Sequence, residues 1–352
     1  MSSVNLKHMS LITLYTQYLN SNNIPYDIIY VDKYNEMETN TARKTYRFQM
    51  TVERDWPIWK KLREYYKFKL YAEKVLKENK YDFIIVWNSF TALIFFNTLI
   101  LKYKGKYSFN IRDYAKEKNR IIYNMIKKLT SNSAFNTISS EKFKSFLPKE
   151  KYITLHSVNK QITKNIIKNE TLNEKINPIK ITFIGYVRFF NQDIKMIEAL
   201  KNDSRFLLQY IGEGSQVLKE FAEKNKINNV ETYGRFNVEE TSDFISNADI
   251  INNVYGANTP GLKSAISIKF YYSLYREIPI IVSSGTYMEE VAKEAGNSIS
   301  VSDENFRNLG DYLYKEYIKI NQIEMKNKIY NYLEKVEKNN KRFNEFLEEF
   351  LN

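Results

Sequence analysis

The sequence predicts an α/β protein of two Rossmann-like domains, and three observations support this fold class. The chain has 352 residues, enough for two domains of about 100–200 residues each. From residue 177 onward, short β-branched or aromatic runs alternate with amphipathic stretches, which is typical of βαβ units around a parallel sheet. The first half shows the same alternation less regularly. We therefore expect two parallel sheets facing a cleft.

The predicted strands are the apolar runs of this alternation. In the second half they are 179–185, 206–212, 230–234, 248–255 and 278–284. In the first half they are 26–32, 81–87, 106–113, 134–139 and 152–156. The chain opens with a predicted helix at 6–20, so the pattern lacks the strand with which a Rossmann domain normally begins.

Three segments follow from this order of elements. We expect an amino-terminal Rossmann-like domain at 1–160, a carboxyl-terminal one at 178–320 and a helical segment at 321–352. The polar stretch 160–177 contains no apolar strand and is predicted to be the interdomain linker. The final helices carry charges of both signs, which is typical of a solvated face with one packed stripe, and they can cross back to the amino-terminal domain.

Composition excludes several kinds of site. The formal charge of +12 favours anionic partners, which include phosphorylated small molecules, nucleic acid and anionic lipid. The chain has no Cys, so disulfides, thiolate metal sites and Cys nucleophiles are excluded. Its only imidazoles are His8 and His156, so we expect no metal site. The amino end lacks the features of a signal peptide, which predicts a cytoplasmic protein.

One uncharged stretch, 83–101, has almost the length of a membrane span. Polar residues interrupt it at Asn88, Ser89, Thr91, Asn97 and Thr98. The sequence therefore favours a buried strand followed by a loop and an N-capped helix.

Two glycines between a predicted strand and helix form the sharpest local signal. Gly212 and Gly214 in YIGEGSQVLKEF would let backbone N–H groups approach a phosphate at the positive end of a helix. The pair does not complete a GxGxxG motif, because Val217 stands at the position of the third glycine. Taken alone, the pair also fits a simple tight turn. Gly185 closes the preceding strand in the same way.

Two cations stand at neighbouring strand ends. Arg188 follows Gly185 and offers a planar donor suited to a diphosphate, although it also fits a surface charge. Lys269 stands just after Ser267, which can cap a helix whose dipole favours a phosphate. Ligands of parallel sheets bind at the carboxyl ends of strands, so these residues together predict a nucleotide-diphosphate site.

Five segments carry a resemblance to a known family: ITFIGYVRFF, YIGEG, VETYGRF, SNADIINNVYG and KFYYSLYREIPIIVSSGTYMEEVAKEAGNSISV. In this order and at these intervals, over about 180–303, they resemble the donor domain of GT-B glycosyltransferases, especially family 4-like enzymes of bacterial capsule and other surface polysaccharides. The amino half resembles the acceptor domain only in its general alternation. The resemblance implies a hexosyltransferase-type enzyme that moves a sugar from a UDP- or GDP-type donor to a glycan acceptor, for which a lipid-linked glycan is the expectation.

The resemblance also implies roles for individual residues. Pro279 in REIPIIVSS matches the anchor of a donor-domain strand, and Lys269, ten residues earlier, matches a Lys that touches the donor diphosphate. The family's usual acidic pair falls on Ser264 and Tyr272, and a Tyr hydroxyl can offer the ribose only one hydrogen bond. The segment VETYGRF would place four residues near the nucleotide base: Tyr233, Gly234, Arg235 and Phe236.

For a retaining transfer the resemblance implies no protein nucleophile, no metal and no other cofactor. The donor diphosphate would leave with stabilisation from Arg188 and Lys269, while the acceptor hydroxyl attacks on the same face. Asp113 and His156 follow strands of the amino-terminal half and are the catalytic candidates that could assist. Pairing with Arg112 is the alternative role for Asp113.

The segment Trp56–Lys80 interleaves aromatic and basic residues. Trp56, Trp59, Leu62, Tyr66 and Leu70 alternate with Lys60, Lys61, Arg63, Lys67 and Lys69. Such a helix suits a membrane surface, where cations meet lipid phosphates, and this predicts peripheral membrane association. A stripe at helical spacing is also common in protein cores, and the sequence leaves both interpretations open.

Two other functions compete with the transferase. A degenerate, non-catalytic partner of another transferase would explain Tyr272, Ser264 and the missing first strand. Nucleic-acid binding would explain the positive charge, but charge alone is the least specific of these observations, so we expect no nucleic acid.

Overall fold

A computed structural model describes residues 1–9, 11–53, 55–170 and 178–351. The chain divides into two units. Unit 1 contains Met1–Asn159 together with Lys338–Asn352, and unit 2 contains Lys160–Glu337. The segment 171–177, which belongs to the predicted linker, lies outside the described residues.

Unit 1 is built on parallel strands that match the apolar runs of the first half. They are β1 Asp27–Asp32, β2 Lys44–Gln49, β3 Ile84–Trp87, β4 Tyr107–Ile111, β5 Phe135–Ile138 and β6 Ile153–Thr154. β1 pairs with β2, and the other four pair in the order β3-β4-β5-β6. β2 was not predicted, because its sequence KTYRFQ is largely polar and no residue of the strand is buried.

The structure corrects the expectation that the position of the first strand is empty. Ser2 forms isolated parallel bridges to both Tyr30 and Trp87, and so lies between β1 and β3. Its N–H donates to the Ile29 carbonyl at 2.9 Å, and the Trp87 N–H donates to the Met1 carbonyl at the same distance. These two residues therefore join the two strand ladders of unit 1.

The helices of unit 1 cover this sheet. They are α1 Thr13–Ser21, α2 Ile58–Asn79, α3 Ser89–Ile94 and α4 Arg120–Ser131, with short 3-10 turns at Leu6–His8 and Glu141–Ser145 and a π turn at Thr98–Lys102. The predicted helix at 6–20 is thus two separate elements. The prediction for 83–101 is confirmed, since the Asn88 side chain accepts from the Thr91 N–H at 2.9 Å and caps α3 after β3. Among the described residues, no helix is long and apolar enough to span a bilayer.

Unit 2 is a six-stranded parallel sheet. Its strands are β7 Ile179–Ile184, β8 Phe206–Ile211, β9 Val230–Tyr233, β10 Ile250–Asn253, β11 Ile280–Ser283 and β12 Ser298–Val301. They pair in the order β12-β11-β10-β7-β8-β9, which is that of a doubly wound Rossmann sheet. Most positions of β7, β8, β10 and β11 are buried, and most of these residues are apolar, as the near-continuous apolar runs predict, whereas the edge strand β9 has no buried residue.

Helices connect the strands of unit 2 and continue beyond the sheet. They are α5 Lys160–Thr163, α6 Phe190–Ala199, α7 Ser215–Lys224, α8 Thr241–Ser246, α9 Pro260–Ser264, α10 Ile268–Arg276, α11 Tyr287–Glu294, α12 Leu309–Ile318 and α13 Gln322–Leu351, with 3-10 turns at Val238–Glu240 and Glu304–Asn308. The described part of the predicted linker packs on unit 2, where Ile162 and Ile166 are buried and the Asn169 N–H donates to the Arg276 carbonyl.

The long helix α13 contributes to both units. Its residues from Lys338 onward belong to unit 1, where Phe343 packs edge-on against Tyr15 with ring centroids 4.9 Å apart. The terminal helix therefore returns to the amino-terminal fold. The chain enters unit 1 twice, once at each end of the sequence.

Candidate functional site

The strand order of unit 2 by itself indicates where a ligand would bind. The chain runs outward from β7 to β9 on one side of the sheet and from β10 to β12 on the other, so the connections diverge between β7 and β10. In open parallel sheets, ligands bind at this switch point, beyond the carboxyl ends of the strands. The loops after β7 and β10 and the first turns of α6 and α10 surround that position.

The predicted glycines shape the loop after β7 by close backbone approach. Gly212 has φ +139°, and a Cβ there would lie 2.0 Å from the Gly185 carbonyl oxygen. Gly214 has φ +93°, and its Cβ would lie 2.4 Å from the Val187 carbonyl oxygen. The Val187 N–H also donates to the Glu213 carbonyl at 2.9 Å. The two glycines thus hold the β7 and β8 loops together, while the space beside Gly185 is open.

Arg188 is the exposed cation of this loop. Its guanidinium lies over the Phe189 ring at 5.1 Å, and no carboxylate among the described residues pairs with it. An exposed guanidinium without an internal counter-ion is available to an anionic ligand, and its planar fork matches phosphate oxygens.

Lys269 is buried behind this surface. Only 2% of the residue is exposed, and its ammonium donates to the Tyr255 hydroxyl. The same nitrogen lies 3.9 Å from the Phe183 ring centroid and 4.3 Å from that of Tyr255. Burial lowers the pKa of Lys269 to about 7, with a smaller contribution in the same direction from Arg188, and Asp193 opposes this shift.

Asp193 completes the buried cluster and was not among the residues predicted from the sequence. It lies in the first turn of α6, is 2% exposed, and its Oδ2 atom is buried without a hydrogen-bond partner. Burial raises the pKa of Asp193 to about 7, and Lys269 opposes this shift. A signal was present in the sequence, because Asp193 shares an apolar face with Met196, Ile197 and Leu200 at helical spacing.

Two further predicted residues, Ser267 and Tyr272, lie at the N-cap and in the middle of α10. Ser267 caps α10, its hydroxyl accepting from the Lys269 N–H at 3.3 Å, and it also hydrogen bonds to Tyr255. Tyr272 is only 5% exposed, and burial raises its pKa well above the usual range. The Tyr272 side chain is thus packed into the unit, and its contact with a ribose stays a prediction.

The predicted base-binding segment follows β9, at the edge of the sheet. Tyr233 is 46% exposed, and its ring lies 5.4 Å from that of Phe244. Phe236 meets the same Phe244 ring edge-on at 5.5 Å. Gly234 and Arg235 stand between the two aromatic residues, Arg235 being exposed. This arrangement offers aromatic faces and a cation one strand beyond β8, a chemistry that suits a nucleobase.

The two catalytic candidates of unit 1 differ in accessibility. Asp113 is exposed after β4. His156 is 4% exposed, and its Nε2 lies 3.0 Å from the Asn339 side-chain amide nitrogen. Its backbone N–H donates to the Asn340 side chain at 2.9 Å. The helix α13 thus fixes both the ring and the backbone of His156.

A cavity of about 430 Å³ lies in unit 1, away from all of the predicted site residues. Its lining is mainly α1, the ends of α2 and α13 and the first residues of β1 and β3, together with Met1, Ser2 and Trp87. The first residues of β1 and β3 are the amino ends of parallel strands, whereas ligand sites of such sheets form at the carboxyl ends. No cluster of three or more potential metal ligands occurs among the described residues.

Comparisons with known proteins bear on the fold. No protein-family model matches the chain, and no curated protein matches its sequence. A sucrose-phosphate synthase from Thermosynechococcus elongatus aligns with a TM-score of 0.68 at 12% identity, over 98% of this chain and 89% of that one. The Anabaena protein HepE, solved in complex with UDP, gives 0.68 at 10% identity, over 99% and 98%. A glycosyltransferase from Rickettsia africae gives 0.65 at 13% identity, over 98% and 94%.

These identities are low, so the likeness shows the fold alone. That fold is GT-B, as the resemblance of the donor-domain segments predicts. The fold does not determine the function, which depends on the side chains of the site.

Proposed function

We propose that this GT-B fold protein is a glycosyltransferase that takes a sugar from a nucleoside diphosphate donor bound by unit 2. The observation that carries the proposal is the placement of two cations, the exposed Arg188 and the buried Lys269, at the switch point of the unit 2 sheet. A structural neighbour with this fold was solved with UDP, which supports a uridine donor as the first candidate.

In the proposed reaction, unit 2 stabilises the leaving group. The bond between the anomeric carbon and the diphosphate oxygen breaks, the acceptor hydroxyl forms the new glycosidic bond, and its proton passes to a base. Arg188 contacts the diphosphate directly, and Lys269 adds positive potential from the low-dielectric interior. Because such preorganised charge needs no reorganisation during the reaction, it stabilises the developing negative charge efficiently.

The finer features of the function are part of the same proposal. We assign the enzyme to the hexosyltransferases, acting with retention and without a metal, with Tyr233 and Phe236 beside the base. The acceptor is a glycan of a surface polysaccharide carried on a lipid, which would place the protein on the cytoplasmic side of a membrane. Asp113 is the more accessible of the two candidates for receiving the acceptor proton, since His156 is held by α13.

The test measures the binding of UDP, GDP, CMP and the corresponding sugar nucleotides, with thermal unfolding and calorimetry as the two readouts. One nucleoside diphosphate should raise the melting temperature by a few degrees at saturating concentration. Arg188→Ala should weaken that ligand about 10- to 100-fold, the range for a lost hydrogen bond to a charged group. The matched control is Lys219→Ala, which removes an exposed cation of α7 paired with Glu223 at 3.9 Å and should leave affinity unchanged.

Turnover separates the enzyme from a non-catalytic partner. The purified chain should slowly release nucleoside diphosphate from the matching sugar nucleotide, with water in place of the acceptor. Binding without any release, even with membrane lipid extracts added as acceptor, would favour the degenerate partner. Absence of binding to every nucleotide would contradict the donor site itself.

A further inference from the structure

The helix α2 of unit 1 has two apolar faces, and only one of them is covered. Phe68, Ala72, Val75 and Leu76 are buried against the unit 1 core. A second set is exposed to an extent unusual for large apolar residues: Ile58 at 75%, Trp59 at 64%, Leu62 at 56%, Tyr66 at 59% and Leu70 at 50%. The predicted stripe is therefore not part of the unit 1 core, and its association with a membrane stays a prediction.

Helical geometry makes the exposed set one continuous stripe. At about 100° per residue, Trp59, Leu62, Tyr66 and Leu70 fall within an arc of roughly 80°. Phe68 lies on the opposite side of the same wheel, and it is fully buried. The stripe therefore points directly away from the unit 1 core. We call these four residues, with Ile58 at the start of the helix, the α2 stripe.

Cations border the α2 stripe. On the wheel, Arg63 and Lys67 fall beside it on one edge and Lys69 on the other. The segment 56–70 carries five cations and a single carboxylate, Glu64. Lys60 lies over the Trp56 ring at 3.4 Å, an arrangement in which an indole and an ammonium share one surface.

This combination is selective for one kind of surface. Packing against a protein core explains exposed apolar residues but does not require cations at their edges. Binding to a nucleic acid explains the cations but does not require aliphatic residues such as Leu62 and Leu70. An anionic bilayer satisfies both, because apolar side chains enter the headgroup boundary while Lys and Arg pair with lipid phosphates. Trp and Tyr prefer that same boundary, where one end of the ring is apolar and the other is wet.

We propose that the α2 stripe and its bordering cations form a docking surface for the anionic face of a lipid bilayer, with α2 lying parallel to the membrane plane. Docking on lipid is independent of donor binding. Its use for reaching a lipid-linked acceptor rests on the proposed function.

The experiment is co-sedimentation of the full chain with vesicles of phosphatidylcholine alone or with 30% phosphatidylglycerol, as a chosen composition. We expect binding to the anionic vesicles that weakens as salt is raised, and little binding to the neutral ones. Arg63→Gln with Lys67→Gln should reduce the affinity about fivefold for each charge removed. Trp59→Ser with Leu62→Ser should reduce it at least tenfold, since the side chains that enter the boundary are lost.

A matched control uses exposed apolar residues elsewhere. Ile323→Ser with Tyr330→Ser changes two residues of α13 that are 75% and 63% exposed, and it should leave vesicle binding unchanged. All four positions of the two serine variants are exposed, so unfolding temperatures should stay close to wild type.

Three results would overturn the proposal: equal loss in the control variant, no binding to anionic vesicles, or a salt-sensitive complex with RNA that replaces vesicle binding. Self-association that disappears with Trp59→Ser and Leu62→Ser, without vesicle binding, would identify a second copy as the occupant instead. Nucleoside diphosphate binding by unit 2 is measured in parallel, so a failure of the donor site is distinguishable from a failure of the docking surface.

Discussion

Lys269 illustrates at the residue scale how burial changes the role of a charge. From the sequence it is a cation at a helix start, suited to touch a phosphate directly. In the structure it lies beneath Tyr255, between two aromatic rings, with the buried carboxyl of Asp193 as its acidic neighbour. Burial penalises both charged forms, so it lowers the pKa of Lys269 and raises that of Asp193.

This predicts how ligand affinity depends on pH. Because the folded pKa of Lys269 is about 7, its ammonium is present below that pH and is lost above it. Affinity for the nucleoside diphosphate should therefore fall roughly tenfold between pH 6 and pH 9, an effect typical of one nearby charge. Lys269→Met should bind more weakly at pH 6 and show a much flatter profile from pH 7 to 9 by calorimetry.

The ligand's own phosphate titration is common to wild type and variant, so the difference between their profiles reports the titration of Lys269 together with that of its coupled neighbour Asp193. Parallel profiles would contradict the prediction. The same pKa shift affects stability with a defined sign. The unfolded state holds the Lys269 proton up to about pH 10 while the folded state loses it near 7, so this residue makes the protein more stable as the pH rises through that window.

At the scale of elements, the strands were the most predictable feature. Continuous apolar runs such as those of β7 and β11 are buried on both faces of a parallel sheet, so hydropathy alone reveals them. The edge strand β2 escaped prediction because its exposed residues carry no apolar signal. The sequence predicted the glycine turns but not why glycine is required there. The reason is a contact between the β7 and β8 loops, which joins residues about 27 positions apart in the chain.

That contact predicts a stability difference between two glycines. Gly212→Ala places a Cβ 2.0 Å from a backbone oxygen at φ +139°, so the loop has to shift, at a cost of about 2–4 kcal/mol. Gly234→Ala is the control, because its Cβ would meet nothing within 4 Å and its φ is not positive. Chemical denaturation should show a clear loss for the first variant and a change under about 1 kcal/mol for the second. Similar losses would mean that the two loops are not in contact.

At the scale of the whole molecule, unit 1 is built from both ends of the chain. The end of α13 packs against α1 and β5, where Phe343 is 1% exposed and meets both Tyr15 and Phe135. The amino-terminal half therefore needs the end of α13 to complete its core. A domain defined as one continuous stretch of sequence does not include this distant segment.

We accordingly predict that Phe343→Ala destabilises unit 1 by about 3–5 kcal/mol, the usual cost of removing a buried aromatic ring. Nucleoside diphosphate affinity at low temperature should stay within about twofold of wild type, because the residues proposed to bind the donor all belong to unit 2. Ile323→Ala on the same helix is the control, since Ile323 is 75% exposed and its loss should be nearly neutral. Thermal unfolding and calorimetry check both parts. A stable variant, or one that loses nucleotide binding while folded, would contradict this division of the chain.

The sequence by itself determined the α/β class, most strands, the N-cap at Asn88 and the glycine turns after β7 and β8. These features depend on residues that are close together in the chain, through local patterns of hydropathy and turn chemistry, so they can be predicted from the sequence. Tertiary structure alone decided that Lys269 is buried beside Asp193, that Tyr272 is packed inside and that the α2 stripe faces outward. Burial depends on which distant segments cover a side chain, and that is fixed only when the whole chain has packed.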